Sequence, residues 1–361
     1  MFLTHLNNGM CHGISRVREV SRRRAAWSSL DIDWLKEKLL SLRKIAEQVG
    51  HIYSKIVLPA HPWSAIKLLM HALYVPLYTR IIHAYGYSPI YYIDLFSGCG
   101  IDSIQVQGTQ LSMPGSPIIA AALAQPQFDK IICVEKDRKY ATALRERLKA
   151  LVPPDKIHVI NDDVNTAIDL ITALLDDQPR AHYLAFIDPY GLELNWNTLA
   201  KLLSYRGDLW VLYQTREVAR VRGQPGSTAR MTLFFGDERW REFVSEYELL
   251  LYYCFKIQTH GRPNVRRNLV IPIAIKGRGF SYHLIFAARE TAGGSPWVSV
   301  ICEYKSRIEK YTPRYVKYAI DIALGRVQAL SEFLEPYTAQ KKITDFLETT
   351  SGDAVTDNPM P

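Results

Sequence analysis

Between residues 90 and 214, short apolar runs rich in β-branched and aromatic residues alternate with longer helical patterns. No other feature of the chain restricts the possible folds so far. PIYYIDLF, KIICVEKD, KIHVIND, HYLAFIDPY and DLWVLYQT read as strands, and SPIIAAALAQ, RKYATALRERLKAL, VNTAIDLITALL and NTLAKLLSY as the helices between them. Such alternation predicts an α/β fold: a doubly wound, Rossmann-like parallel sheet covered on both faces.

The flanking regions follow from local pattern. Residues 1–30 read as an unpacked basic leader and residues 31–86 as an N-terminal helical segment. Trp34, Leu35, Leu39, Leu42 and Ile45 recur there at helical spacing, and the second helical stretch, 63–86, is expected to break or bend near Pro76. The sheet domain is assigned to 87–290, with a helical insertion near 216–262 in which FFGDERWREFVSEYELLLYYCFKI reads as helix. NLVIPIAIK and YHLIFAAR, separated by GRGFS, are expected to form a β-hairpin completing the sheet. Residues 291–340 read as a C-terminal helical extension and 341–361 as a polar tail.

Composition narrows the function classes. A chain of 361 residues that is 48% hydrophobic suits one large domain with additions, or two domains. No apolar run reaches the ~18 uninterrupted residues of a membrane span, and residues 1–30 lack a secretory pattern, so a cytoplasmic protein without a membrane partner is expected. Cys11, Cys99, Cys133, Cys254 and Cys302 are too scattered for a metal knuckle or a disulfide framework, and no metal is expected. The net charge of +8 and the clusters RVREVSRRR (16–24), REVARVRG (216–223) and HGRPNVRR (260–267) suit an anionic partner, the alternative being a solvated basic surface.

The first strand ends in DLFSGCG, where glycines let backbone amides approach a ligand. A dinucleotide fingerprint would continue G-x-G-x-x-G into a helix; here the third glycine is missing and the next helix start is Gly115-Ser116-Pro117, with Ser116 as the expected cap. A ligand without pyrophosphate fits better, and S-adenosylmethionine is the candidate. Asp94 is placed to neutralise its ammonium, Phe96, Gly98 and Gly100 to form the turn beside it, Glu135 to accept from the ribose hydroxyls and Asp163 to accept from the adenine amine. At the fourth strand end, Asp188 and the Pro189 carbonyl can orient an exocyclic amine while Tyr190 stacks on its ring; the alternative is a capped turn in which Asp188 is structural. Arg216, Arg220 and Arg222 follow the fifth strand and are expected to flank that pocket as phosphate contacts, with Arg266 and Arg267 approaching from the other side. His158, His182 and His283 read as core or edge residues of strands.

DLFSGCG, Glu135, Asp163 and IDPYGLE together resemble the class I S-adenosylmethionine-dependent methyltransferase pattern. More closely, YIDLFSGCG, GSP at 115–117, DVN at 163–165, FIDPYGLELNW at 186–196 and LFFGDERW at 233–240 resemble the three-Cys-motif partner proteins, over roughly residues 63–290. That resemblance implies a methyltransferase-like fold without a settled substrate, and a neighbouring cysteine-motif protein as a possible partner. This chain has Ser97-Gly98-Cys99-Gly100 where that family usually has Ala-Gly-Pro-Gly. The Asp188-Pro189-Tyr190-Gly191 stretch is also similar to the Asp-Pro-Phe-Gly of tRNA guanine amino-methyltransferases, which favours RNA over DNA as the nucleic acid. DLFSGCG is shared with cytosine carbon-5 methyltransferases, whose nucleophilic cysteine lies elsewhere, so Cys99 is expected to be a small residue beside the cofactor. The expectation is a methyltransferase acting on a nucleobase amino group, the alternative a non-catalytic or partner-dependent subunit and, less favoured, a small-molecule or protein methyltransferase.

Overall fold

The structure is a computed structural model that describes residues 29–106, 109–277, 280–290, 296–310, 316, 319–321 and 324. The basic leader, nearly all of the region after 310 and the polar tail lie outside the described residues. In chain order the elements are α1 (Ser29–Val49), β1 (Leu58–Ala60), α2 (Ser64–Ala84), β2 (Ile90–Asp94), β3 (Ile101–Val106), β4 (Thr109–Pro114) and α3 (Ser116–Leu123). They continue as β5 (Lys130–Val134), α4 (Arg138–Lys149), β6 (Ile157–Ile160), α5 (Val164–Asp176), β7 (His182–Ile187), α6 (Trp196–Leu203) and β8 (Gly207–Tyr213). Last come α7 (Thr215–Arg222), α8 (Thr228–Phe235), α9 (Glu246–Thr259), β9 (Leu269–Gly277), β10 (Phe280–Ala288) and α10 (Pro296–Ile308).

Seven strands form one sheet in the order β6-β5-β2-β7-β8-β10-β9. All pairs are parallel except those of β10, which runs antiparallel to β8 and β9. This is the doubly wound, Rossmann-like sheet that the sequence predicted, closed by the expected hairpin. Each strand shows why both faces are covered. Ile90 and Tyr92 of β2 and Trp210 and Leu212 of β8 enter one core with α1, α2 and α3, while Tyr91, Ile93, Leu209 and Val211 enter a second core with α5, α6 and α9. The chain turns outward from β2 through β5 to β6, then restarts at β7 on the other side of β2. The carboxyl ends of β2 and β7 therefore flank a topological switch point, where open α/β sheets bind ligands.

Several local expectations change. Helix α2 is one continuous helix through Pro76, in which the Thr79 hydroxyl donates to the Val75 carbonyl one turn back (3.2 Å). Gly115 caps α3 and Ser116 is its first helical residue. The residues between Gly100 and Gly115, given no element from the sequence, include the paired strands β3 and β4, and with β1 these make a separate three-stranded sheet. The run from Phe234 is not one helix: α8 stops at the left-handed Gly236, and α9 begins afresh at a Ser245–Glu248 capping box. The arginine-rich stretch after β8 is helix α7, within the region read as a helical insertion.

Helix α2 is long and apolar enough to cross a membrane by length and composition, with a mean hydropathy of 1.2. Its contacts make it a core helix instead. Along one face, at spacings of three and four, Lys67 meets Asp188, His71 meets the Tyr92 hydroxyl (3.1 Å), Tyr74 donates to Asp208 (2.6 Å) and Tyr78 meets His182 (2.8 Å). His182 thus belongs to the core as expected, while His283 pairs with the Thr215 hydroxyl (2.7 Å) and His158 with Lys130 (3.1 Å).

Candidate active site

A cavity of about 740 Å³ runs along the carboxyl edge of the sheet, a size in the ~300–1,000 Å³ range of small-molecule sites. Its two ends are chemically different. At one end stand Phe96, Gly98, Glu135, Asp162 and Asp163; at the other Asp188, Pro189, Tyr190 and Arg216.

The first end is shaped by the turn after β2. Gly98 (φ +59°) and Gly100 (φ +84°) both adopt left-handed backbone, which side chains resist. A Cβ on Gly100 would lie 2.9 Å from Leu144 and 3.0 Å from Ile118, so this glycine is fixed by helix packing and does not line the cavity. A Cβ on Gly98 meets only Leu58, at 3.5 Å. The Gly98 amide instead donates to the Glu135 carboxylate (2.9 Å), which also accepts from the Asp137 amide (2.8 Å). Burial raises the Glu135 pKa against these two bonds, and the carboxylate still faces the cavity. Asp163 caps α5 through the Asn165 amide (2.8 Å) and is exposed at the rim beside Asp162.

Asp94 is placed differently from the expectation. Fully buried, it accepts from the Tyr92 hydroxyl (2.9 Å), the Phe96 amide (3.2 Å) and the Ser116 side chain, and it does not line the cavity. Burial pushes its pKa up to about 7 against those bonds. It braces the turn from behind. Cys99 is also inside, with its thiol on the Ile101 carbonyl (3.2 Å), and burial raises its pKa, the opposite of what a nucleophile needs.

At the second end, Asp188 Oδ2 is ion-paired with Lys67, while no described residue engages Oδ1. The Pro189 carbonyl accepts from the Gln214 side chain (2.6 Å) and retains a second lone pair. Tyr190 is 62% exposed, its ring at the mouth. Two further charged residues that pattern reading missed line the cavity between its ends. Lys67 comes from the N-terminal helix α2, and Asp102 from the β3–β4 hairpin; both line the cavity. A lone lysine in the apolar run SAIKLLM was the available signal for the first; the unrecognised hairpin hid the second.

Of the arginines, only Arg216 lines the cavity. Arg220 is paired with Glu217 on its own helix, and Arg222 donates to the Val244 carbonyl (2.9 Å). Arg266 donates to the Gly261 carbonyl (2.7 Å), and Arg267 is buried at the amino end of the sheet, on the carbonyls of Gly207 (2.9 Å), Leu203 (2.5 Å) and Tyr205 (2.7 Å). The approach of these two to the pocket from the other side is therefore not observed. LFFGDERW also lies away from the cavity: Asp237 accepts from Lys256 and the Tyr252 hydroxyl (2.8 Å), and Lys256 sits 4.4 Å from the Trp196 ring centroid.

No family model and no curated protein matches the chain. Similar solved structures include protein LPL1258 from Legionella pneumophila, at 15% identity and a TM-score of 0.38, covering 66% of this chain and 92% of that one. Trm1 from Pyrococcus horikoshii, solved with S-adenosyl-L-methionine, gives 12% and 0.35 over 65% of this chain and 59% of that one. The O-methyltransferase TomG from Streptomyces achromogenes, solved with the same molecule, gives 15% and 0.37 over 73% and 97%.

Proposed function

We propose that this protein is an S-adenosylmethionine-dependent methyltransferase whose acceptor is the exocyclic amino group of a nucleobase, RNA being favoured over DNA. The observation that carries the reading is the single cavity joining Glu135 and Asp163 at one end to Asp188-Pro189-Tyr190 at the other. One ligand at each end brings donor and acceptor together at the switch point. The residues present fit the cofactor. Glu135 keeps lone pairs for ribose hydroxyls, Gly98 leaves room where a side chain would intrude, and Asp163 stands at the adenine end. When bound, S-adenosylmethionine supplies a methyl group on a sulfonium.

The chain's own residues supply orientation and a proton acceptor. A planar ring rests on Tyr190, and its amine donates to the Pro189 carbonyl and to Asp188 Oδ1. Both are acceptors, so they direct the nitrogen lone pair away from themselves. Burial works against the charge on Lys67, but Asp188 and Asp102 outweigh it and raise its pKa, so Lys67 stays protonated and is not the base. That leaves Asp188 Oδ1 to take the proton released as the amine is alkylated. Arg216 at the rim suits an adjacent phosphate.

The decisive measurement is transfer of labelled methyl to RNA and DNA, followed by nucleoside mass analysis. Wild-type protein is expected to modify one base in RNA, and Asp188→Asn to retain cofactor affinity while losing about 100-fold or more in rate. Equal activity in the variant removes the role given to Asp188. Cofactor binding with transfer only after a cysteine-motif protein is added supports the partner-dependent alternative, and none under either condition the non-catalytic one.

A further inference from the structure

Asp102 is 8% exposed, lines the cavity, and accepts no hydrogen bond from any described residue. A buried carboxylate without donors is costly, and such groups are normally paired. Lys67 lines the same cavity, but its ammonium is ion-paired with Asp188 and not with Asp102. The cavity wall thus carries two carboxylates and one ammonium, with the ammonium on Asp188. Lys67 has three donors and uses one on Asp188, which leaves it able to hold an anionic oxygen as well. Asp102 therefore offers its carboxylate to a cationic donor, and Lys67 offers its remaining N–H groups to an acceptor oxygen. A zwitterion with an ammonium and a carboxylate on one carbon meets both at once.

Position along the cavity says which ligand end this is. Asp102 follows Gly100 by two residues, at the start of β3, so it stands at the glycine turn. Glu135 bonds to Gly98 on the other flank of the same turn. The charged cluster therefore adjoins the Gly98–Glu135 end on the side toward Asp188, while Asp94, expected to meet the ammonium, is enclosed behind the wall. We propose that Asp102 and Lys67 bind the α-ammonium and α-carboxylate of the cofactor's amino-acid end. This inference rests on the cofactor reading above. It gives a purpose to two additions to the sheet, the N-terminal helix α2 and the β3–β4 hairpin, each of which contributes one of the two charges.

The test uses the full chain in calorimetric titrations with S-adenosylhomocysteine and with 5′-methylthioadenosine, which keeps the nucleoside but lacks the amino-acid end. Wild type is expected to prefer the former by about 100-fold, the effect of two charge-assisted contacts. Asp102→Asn and Lys67→Met are each expected to weaken S-adenosylhomocysteine about tenfold or more and to leave 5′-methylthioadenosine within about twofold. Asp102→Asn is isosteric and removes no hydrogen bond, so it carries the test if Lys67→Met, which leaves Asp188 unpaired, does not fold. Unchanged affinity in Asp102→Asn, or equal losses for both ligands, overturns the inference while leaving the cofactor reading standing. A folded wild type that binds neither ligand overturns both.

Discussion

Asp94 and Glu135 are both strand-end acids of the same sheet, yet their surroundings give them different work. Glu135 keeps a face in the cavity, and Glu135→Gln is expected to weaken S-adenosylhomocysteine by about tenfold or more, because an amide cannot accept from two hydroxyls and two backbone amides together. Titration calorimetry reads this directly. Asp94 is enclosed, with a folded pKa of about 7 against an ordinary 3.8. Between those values the folded protein holds a proton that the unfolded chain has lost, so this group makes stability fall as pH rises from about 4 to about 7. Urea unfolding of Asp94→Asn across that window is expected to show a shallower fall than wild type, by up to about 1.4 kcal/mol per pH unit. Identical pH profiles would show that Asp94 is ionised in the folded protein.

At the scale of elements, two fully buried arginines tie irregular segments to the sheet. Arg147 of α4 donates to the carbonyls of Cys99 (2.6 Å), Ile52 (3.1 Å), Tyr53 (3.1 Å) and Ile56 (2.8 Å), and has no ion pair with a carboxylate among the described residues. It joins the glycine turn to the connection between α1 and β1. Arg147→Ala is expected to cost on the order of 3 kcal/mol or more in chemical denaturation, since it strands several buried carbonyls at ~1–3 kcal/mol each. A loss under about 1 kcal/mol would mean that solvent reaches them. Such roles are hard to read beforehand. Nothing in RKYATALRERLKAL marks Arg147 as the buried one among its basic neighbours, because selection depends on which helix face meets a distant loop. Four of the five strands from PIYYIDLF to DLWVLYQT were legible for the opposite reason: burial on both faces leaves an almost unbroken apolar run, whereas the edge strand β6 is half-buried throughout. The β3–β4 hairpin was not legible, since Ile101, Ile104 and Val106 break the period of two, and its Asp102 vanished with it. Strand ends therefore revealed Glu135, Asp163 and Asp188 as candidates, while Lys67 and Asp102 came from elements outside the sheet.

For the whole molecule, the net charge of +8 is a weaker argument for nucleic acid than the sequence alone suggests, because several basic groups of the folded part are already occupied. Arg220 has Glu217, Arg222 has the Val244 carbonyl, Arg266 has the Gly261 carbonyl, and Arg267 is an interior residue at the wrong end of the sheet. Arg216 alone of the group lines the cavity and is exposed beside Tyr190. Each lysine or arginine that contacts a phosphate releases counterions, so its removal lowers the slope of log affinity against log salt by about one without altering sequence preference. Arg216→Ala is therefore expected to lower the slope by about one for RNA, whereas Arg220→Ala, which frees Glu217 to repel the backbone, and Arg222→Ala should mainly shift affinity at a given salt. Gel-shift titrations in rising salt compare the three. If Arg216→Ala keeps the wild-type slope, phosphate does not pass this rim, and the acceptor end of the cavity serves a small planar amine instead of a nucleic acid strand.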